Sequence, residues 1–388
     1  MKEEFKEIAA YEPEDYLEQR DKLLQEPTFQ KTIEGICSQI LHGSINAQVI
    51  YQSIKQTENL EQWDQVILYP LMNWVVKNTS KGICLNGKEY LTSNPSNAVY
   101  ITNHRDILLD STLLSTLIYN QLHTRPYIGI GTNLYVEPWI ERIVRLNKAF
   151  SVRRGGLPRQ VLRNSQLLSQ YINYLVVENQ QSIWIAQREG RAKNSDDRTQ
   201  PALLKMLTMA GEGDFINRLL CLNLTPVSLS YEYDPCDYLK AMEMQLKRDN
   251  PQYKKTPQDD YINMQTGMLG YKGQIVFTIT PTINCEVAEI RNTTNIRNEQ
   301  AEAVSNIIDK HIHAHYHIFT VNKIAYDKLF NTSTFEKDYS EAQKADFEHY
   351  LEGQINKINI PDKDIDFLYQ RILEMYANPL KNQLQATK

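Results

Sequence analysis

The stretch AVYITNHRDILLDSTLLSTLIYN, residues 98–120, decides how the chain is read. An apolar run leads straight into Asn103-His104-Arg105-Asp106, and Asp110 follows one helical turn later. The pattern predicts a strand ending near His104 and a helix over residues 105–122. A histidine at such a junction reaches solvent while two rigid elements hold its backbone. A carboxylate about one turn into the helix can accept a hydrogen bond from the ring, fix its tautomer and favour the protonated form during proton transfer. An imidazole held in this way can take a proton from a hydroxyl. The same residues also describe an ordinary helix start with acidic groups near its positive end. The rest of the chain has to decide between the two.

Outward from this stretch, residues 13–78 carry apolar residues at three- and four-residue spacings and read as helical, including FQKTIEGICSQILHGS at residues 29–44. From residue 80 to 285, strand patterns alternate with helical ones. RPYIGIGT, KAFSVRR, QSIWIAQREGR, LTPVSLSYEYDP and GQIVFTITPTI read as strands, and PWIERIVRL and LPRQVLRNSQLLSQYINYLVVEN as helices. After residue 286 helical patterns dominate. The expectation is an α/β layer structure over residues 80–290, preceded by a helical segment (1–79) and followed by a helical extension (291–388) packing on the same core.

Composition narrows the class. With 388 residues, 41% hydrophobic and 23% charged, the chain reads as globular. A net charge of −5 argues against a nucleic-acid binder. The charged start argues against a secretory leader, and VILYPLMNWVV, the longest strongly apolar stretch, is shorter than the roughly 20 residues a membrane span needs. Five scattered cysteines without a CxxC pair argue against a disulfide scaffold or zinc site and for a reducing cytosol. The expected location is cytoplasmic, with a peripheral position on the inner face of the membrane as its extension. Between Arg142 and Arg163 there are seven basic residues and no acidic one, a positive stripe suited to a phosphorylated substrate, an anionic carrier or an anionic lipid surface.

Three later stretches bear on His104. NKAFSVRRGG ends a short strand in Arg153 and Arg154; IWIAQREGRAKN follows a strand with Arg188, Glu189, Gly190, Arg191 and Lys193; LTPVSLSYEYDP is a strand with Pro226 near its start. In order and spacing, the four segments resemble the four blocks of the glycerophosphate acyltransferase (PlsC-like) superfamily. The resemblance covers roughly residues 80–285. It implies a mixed sheet flanked by helices and an acyltransferase that moves a fatty acyl group from acyl-CoA or acyl carrier protein. The acceptor it implies is a phosphorylated glycerol, glycerol-3-phosphate or its 1-acyl derivative, in phospholipid biosynthesis, with no cofactor beyond the acyl thioester. An amine acceptor, a thioester hydrolase and a silent lipid- or partner-binding relative are the alternatives.

By position, the resemblance gives His104 the general-base role and Asp110 the orienting role. Arg154 and Arg153 would bind the acceptor's phosphate, with Arg188 and Lys193 as nearby bases. Glu189 and Gly190 would shape the acceptor site, Arg191 would be a second phosphate ligand, and Pro226 and Val227 would line the acyl-donor side. The chain departs from the family pattern in three places. The usual spacing puts the acidic partner at Leu109, so Asp110 comes one residue late while Asp106 stands where serine is usual. Arg191 follows Gly190 without the intervening residue, and Lys148 stands where glycine is common. Asp106 and Asp110, four apart, are expected on one helix face, and either could meet His104; Asp110 is preferred because Asp106 can serve the helix N-terminus.

His311, His313, His315 and His317 alternate in DKHIHAHYHIF. They read as histidines on or near the surface of an apolar-faced helix, and no metal is assigned to them.

Overall fold

The computed structural model describes residues 2–40 and 46–388. Part of the helical reading over 29–44, from residue 41 on, lies outside the described residues. The seven strands are β1 (Gly82–Asn86), β2 (Val99–Thr102), β3 (Tyr127–Gly131), β4 (Ala149–Val152), β5 (Ile183–Ala186), β6 (Leu224–Tyr231) and β7 (Gln274–Ile279). They form one sheet in the order β1-β7-β6-β2-β5-β3-β4. Strands β2 to β6 are mutually parallel; β7 runs antiparallel to β6, and β1 runs with β7. The expected mixed sheet flanked by helices is present.

The longer helices are α1 (Tyr16–Leu24), α2 (Pro27–Gly35), α3 (Ala47–Gln56), α4 (Tyr69–Thr79), α5 (Leu109–Leu122), α6 (Pro138–Leu146) and α7 (Pro158–Asn173). After β6 come α8 (Asp237–Asp249), α9 (Pro257–Leu269), α10 (Arg297–Ala314), α11 (Thr320–Phe330), α12 (Glu341–Asn356) and α13 (Ile365–Ala386). The alternation of β2 sorts them into layers. Val99 and Ile101 join a core built with α7 and α10, while Tyr100 joins the opposite core with α4 and α5. Leu109 and Leu114 of α5 are fully buried there. Truncating either to alanine would cost ~2–5 kcal/mol. A third core joins α8 to α11–α13, and a fourth seats the first helices on α6 through Tyr16, Leu23, Phe29 and Leu146.

Two sequence readings need correction. The helix expected over 105–122 begins at Leu109, so Asp106 lies in the connection before it and shares no helix face with Asp110. The cause is local: Asp106 Oδ1 accepts from Leu108 N (2.9 Å) and Leu109 N (2.8 Å), capping the helix one turn later than expected. The basic stripe over 142–163 is shortened: Arg142, Arg145 and Lys148 are half-buried against the protein, while Arg153, Arg154, Arg159 and Arg163 stay exposed. Arg142 donates to Gln19 Oε1, Arg145 donates to the carbonyls of Ala9 and Lys6, and burial holds Lys148 below the usual lysine pKa. Arg142 and Arg145 fasten the N-terminal segment onto α6, and Ser151 N of β4 donates to Ile8 O at 2.7 Å.

Candidate active site

The parallel strands end together, and the connections that follow them carry the chemistry-bearing side chains, as in other open sheets where ligands gather at the carboxyl ends of strands. After β2, Asn103 continues the sheet with its side chain: Nδ2 donates to Leu229 O (2.9 Å) and Oδ1 accepts from Leu229 N (2.8 Å). His104 is the next residue. Its ring stands edge-on to Trp184, with centroids 5.9 Å apart, and Trp184 Nε1 donates to Thr102 Oγ1.

His104 Nδ1 lies 2.8 Å from Asp110 Oδ2. The same oxygen accepts from Arg105 N (2.6 Å) and Asp106 N (3.0 Å), while Asp110 Oδ1 accepts from Tyr231 OH (3.1 Å). An ionised carboxylate accepts only, so the ring proton sits on Nδ1 and leaves Nε2 basic. Nε2 has no hydrogen-bond partner among the described residues, and the side chain keeps 13% of its surface exposed, which suffices for contact with a substrate hydroxyl. Burial and the charge of Asp110 raise the Tyr231 hydroxyl well above the usual tyrosine pKa, so it stays a donor.

Asp106 stands beside this pair without bonding the imidazole. Burial, then the charge of Asp110, raises its pKa, against the two backbone N–H groups it accepts from. A Cβ on Gly267 of α9 would fall 1.8 Å from Asp106 Oδ2, so the absence of a side chain at residue 267 lets α9 lie against the capping loop.

The basic residues named from the sequence divide by what already holds them. Arg153 is exposed and pairs with Glu7 at 2.8 Å. Arg154 lies across the end of β3, where a Cβ on Gly131 would come within 2.8 Å of its Nε, and it approaches the exposed Glu189 only to 3.7 Å. Arg188 is half-buried, forms no ion pair among the described residues, and its Nε lacks a partner. Gly190 turns the loop at φ +69°. Arg191 points inward, with Nη2 donating to Asn263 Oδ1 (2.9 Å) and Nη1 buried without a partner. Lys193 pairs with Glu243 of α8, and burial lowers its pKa. Pro226 is buried in β6 opposite Ile101, and Val227 opposite Thr102, both within the sheet rather than at its end. Lys148 adopts φ +57°, the left-handed conformation that explains why glycine suits that position.

Several contributors escaped the sequence reading. Tyr231 is one, legible only once β6 is known to lie beside β2. Arg105 is another: it forms a buried 2.7 Å ion pair with Asp197, whose Oδ2 also accepts from Tyr316 OH. Lys240 Nζ donates to Arg105 O (3.0 Å) and pairs with Asp234. Arg105, the residue after His104, is thus held at both its side chain and its carbonyl. Gln187 is fully buried at the end of β5, and neither polar atom of its amide has a partner among the described residues.

Of the four alternating histidines, His315 and His317 are exposed as expected and His311 Nε2 lies 2.8 Å from Glu286 Oε2, but His313 is buried, because its Nε2 lies 2.7 Å from Asp197 O. Among the described residues no group of three or more His, Cys, Asp or Glu is placed to hold a metal ion. Nor is any helix among them long and apolar enough to cross a membrane.

An unbonded imidazole nitrogen, an orienting carboxylate and arginines on the connections after β4 and β5 suit proton abstraction from the hydroxyl of an anionic molecule. Residues 82–214 match the family model described as Acyltransferase, a span that begins at β1 and includes His104, Asp110 and the arginine-bearing loops. No curated protein matches the chain.

Proposed function

We propose that this chain, which carries the PlsC-like acyltransferase family domain over residues 82–214, transfers a fatty acyl group from acyl-CoA or acyl carrier protein to a glycerophosphate-type hydroxyl. The observation that carries the reading is the 2.8 Å contact between His104 Nδ1 and Asp110 Oδ2, which leaves Nε2 unbonded, while Arg154 and Arg188 stand on the connections after the parallel strands β4 and β5.

In the reaction, His104 Nε2 takes the proton of the acceptor hydroxyl as its oxygen attacks the thioester carbonyl. The tetrahedral intermediate then collapses, the carbon–sulfur bond breaks, and the imidazolium returns the proton to the departing thiolate. Asp110 stabilises the imidazolium, and Tyr231 keeps the carboxylate oriented. Arg154 and Arg188 serve the acceptor phosphate, because they are the least committed of the arginines near the strand ends and a guanidinium grips phosphate with two parallel bonds. Arg191, already bonded to Asn263, contributes charge from beneath. The donor thioester is the only co-substrate required.

The test is an assay with labelled acyl-CoA and acyl carrier protein against glycerol-3-phosphate, 1-acylglycerol-3-phosphate and amine acceptors. The expected result is acylated glycerophosphate, abolished by His104→Ala. Thiol release without acylated product would make the protein a hydrolase. An acylated amine would move the acceptor class. No turnover with any donor, unchanged by His104→Ala, would reduce the domain to a binding module.

A further inference from the structure

Eleven consecutive residues, Arg153–Arg163, are exposed. The later part of α7 enters the core through Leu168, Tyr171 and Ile172, but its first turns project from the body. Leu157 is 70% exposed, Leu162 60% and Val161 43%. Exposed large apolar side chains on soluble proteins are normally scattered singly; three within six residues form a patch. Val161 and Leu162 sit one turn above Leu157 and Pro158, and Arg159 and Arg163, four apart, form the adjoining row. Neither arginine has an ion-pair partner among the described residues, and the sequence holds no Asp or Glu between Glu141 and Glu178. Arg153, paired with Glu7, and Arg154, near Glu189, flank the patch.

We infer that this projecting end of α7 docks the protein on an anionic lipid bilayer. Leu157, Val161 and Leu162 enter the boundary between headgroups and acyl chains, and Arg159 and Arg163 stay at the level of the lipid phosphates. An interfacial helix binds with this division of labour: apolar area supplies insertion, and basic side chains supply attraction to anionic lipid. An acidic carrier protein would account for the arginines, but it leaves the exposed apolar patch of Leu157, Val161 and Leu162 without a reason. The segment follows β4, at the same end of the sheet as His104, so docking turns the candidate site toward the membrane. The inference stands on exposure and charge and does not rest on the acyl-transfer reading.

The test uses the full chain with sedimenting vesicles of phosphatidylcholine alone or of phosphatidylcholine with roughly one-third phosphatidylglycerol. The protein should partition onto the anionic vesicles and not onto the neutral ones. Arg159→Glu with Arg163→Glu should lower partitioning more than about tenfold, since each basic group near an anionic surface contributes roughly a fivefold factor. Leu157→Ser with Leu162→Ser should lower it similarly, and this loss should persist at a salt concentration that already weakens the arginine contribution. As a direct readout, Leu157→Trp should show blue-shifted emission and quenching by brominated acyl chains. Equal binding by all variants, or an unshifted tryptophan on anionic vesicles, would overturn the inference. So would arginine variants that keep vesicle binding but lose binding of acyl carrier protein, because the surface would then belong to the carrier.

Discussion

The side chain of Asn103 pairs with the backbone of Leu229 as if it were one more residue of β2, giving and accepting one hydrogen bond at 2.9 and 2.8 Å. The strand ladder thereby continues to the residue before His104 without the main chain having to remain extended. Asn103→Ala would leave a buried N–H and a buried C=O unpaired, a loss of about 2–3 kcal/mol in urea unfolding. The turnover number should fall as well, because the anchor of the His104 backbone goes with it. An unchanged unfolding midpoint would show that water replaces the amide.

Asp110 and Asp106 are separable by experiment because they bond different groups. Asp110→Asn replaces the acceptor opposite His104 Nδ1 with a group that can also donate, and should lower kcat by roughly 10²–10⁴. Asp106→Asn keeps the oxygen that caps α5, and asparagine caps as well as aspartate does, so kcat should stay close to wild type; stability should not fall, because burial and the charge of Asp110 already disfavour the ionised carboxyl. A larger kcat loss at Asp106 would assign the imidazole's partner to the wrong carboxylate.

Gly131 tests the phosphate role of Arg154. Gly131→Ala places a methyl 2.8 Å from Arg154 Nε and 2.6 Å from Asn133 Oδ1, which a flexible arginine escapes by moving. The fold should survive, while KM for a phosphorylated acceptor rises several-fold with a smaller change in kcat, the signature of lost ground-state binding. Steady-state kinetics with the acceptor varied would read this. An unaltered acceptor KM would remove Arg154 from the acceptor site.

Asp309 of α10 gives the protein a pH dependence of known sign. Its Oδ1 accepts from Thr199 N (2.7 Å) and Thr199 Oγ1 (2.6 Å), yet burial raises its pKa from 3.8 to about 6. Between those two values the folded state binds more protons than the unfolded chain, so this group's contribution to stability falls as pH rises from about 4 to about 6. Above that window the buried charge costs on the order of 2–3 kcal/mol. Asp309→Asn keeps an acceptor for both Thr199 groups and removes the charge. It should therefore be more stable than wild type near neutrality, with the difference shrinking toward pH ~4. Urea midpoints across that range would decide, and a constant difference would mean that burial of charge is not the cause.

How far the sequence disclosed all this varies with the physics of each part. The strand entering His104 and the helix leaving it were legible because apolar patterning is local. Where that helix begins was not, because Asp106 competes with periodicity by capping at Leu109. Helix α8 went unread: it buries Asp237, Lys240, Glu243 and Gln245 beside Leu239 and Ala241, so polar residues interrupt the apolar stripe that would have marked it. The arginine-bearing loops could be counted from sequence. Their commitments to Glu7, Asn263 or nothing are tertiary facts, set by residues far away in the chain.

The hold on Arg105 has a consequence for how the protein can be divided. Its carbonyl is bonded by Lys240, and its guanidinium pairs with Asp197 and lies over the ring of Tyr316. A fragment cut to residues 82–214 would keep His104 and Asp110 but lose Tyr231, Lys240 and Tyr316. The surroundings of His104 are thus drawn from well beyond the span that matches the family model. During synthesis His104 would leave the ribosome early and acquire these surroundings only after α10 has been made.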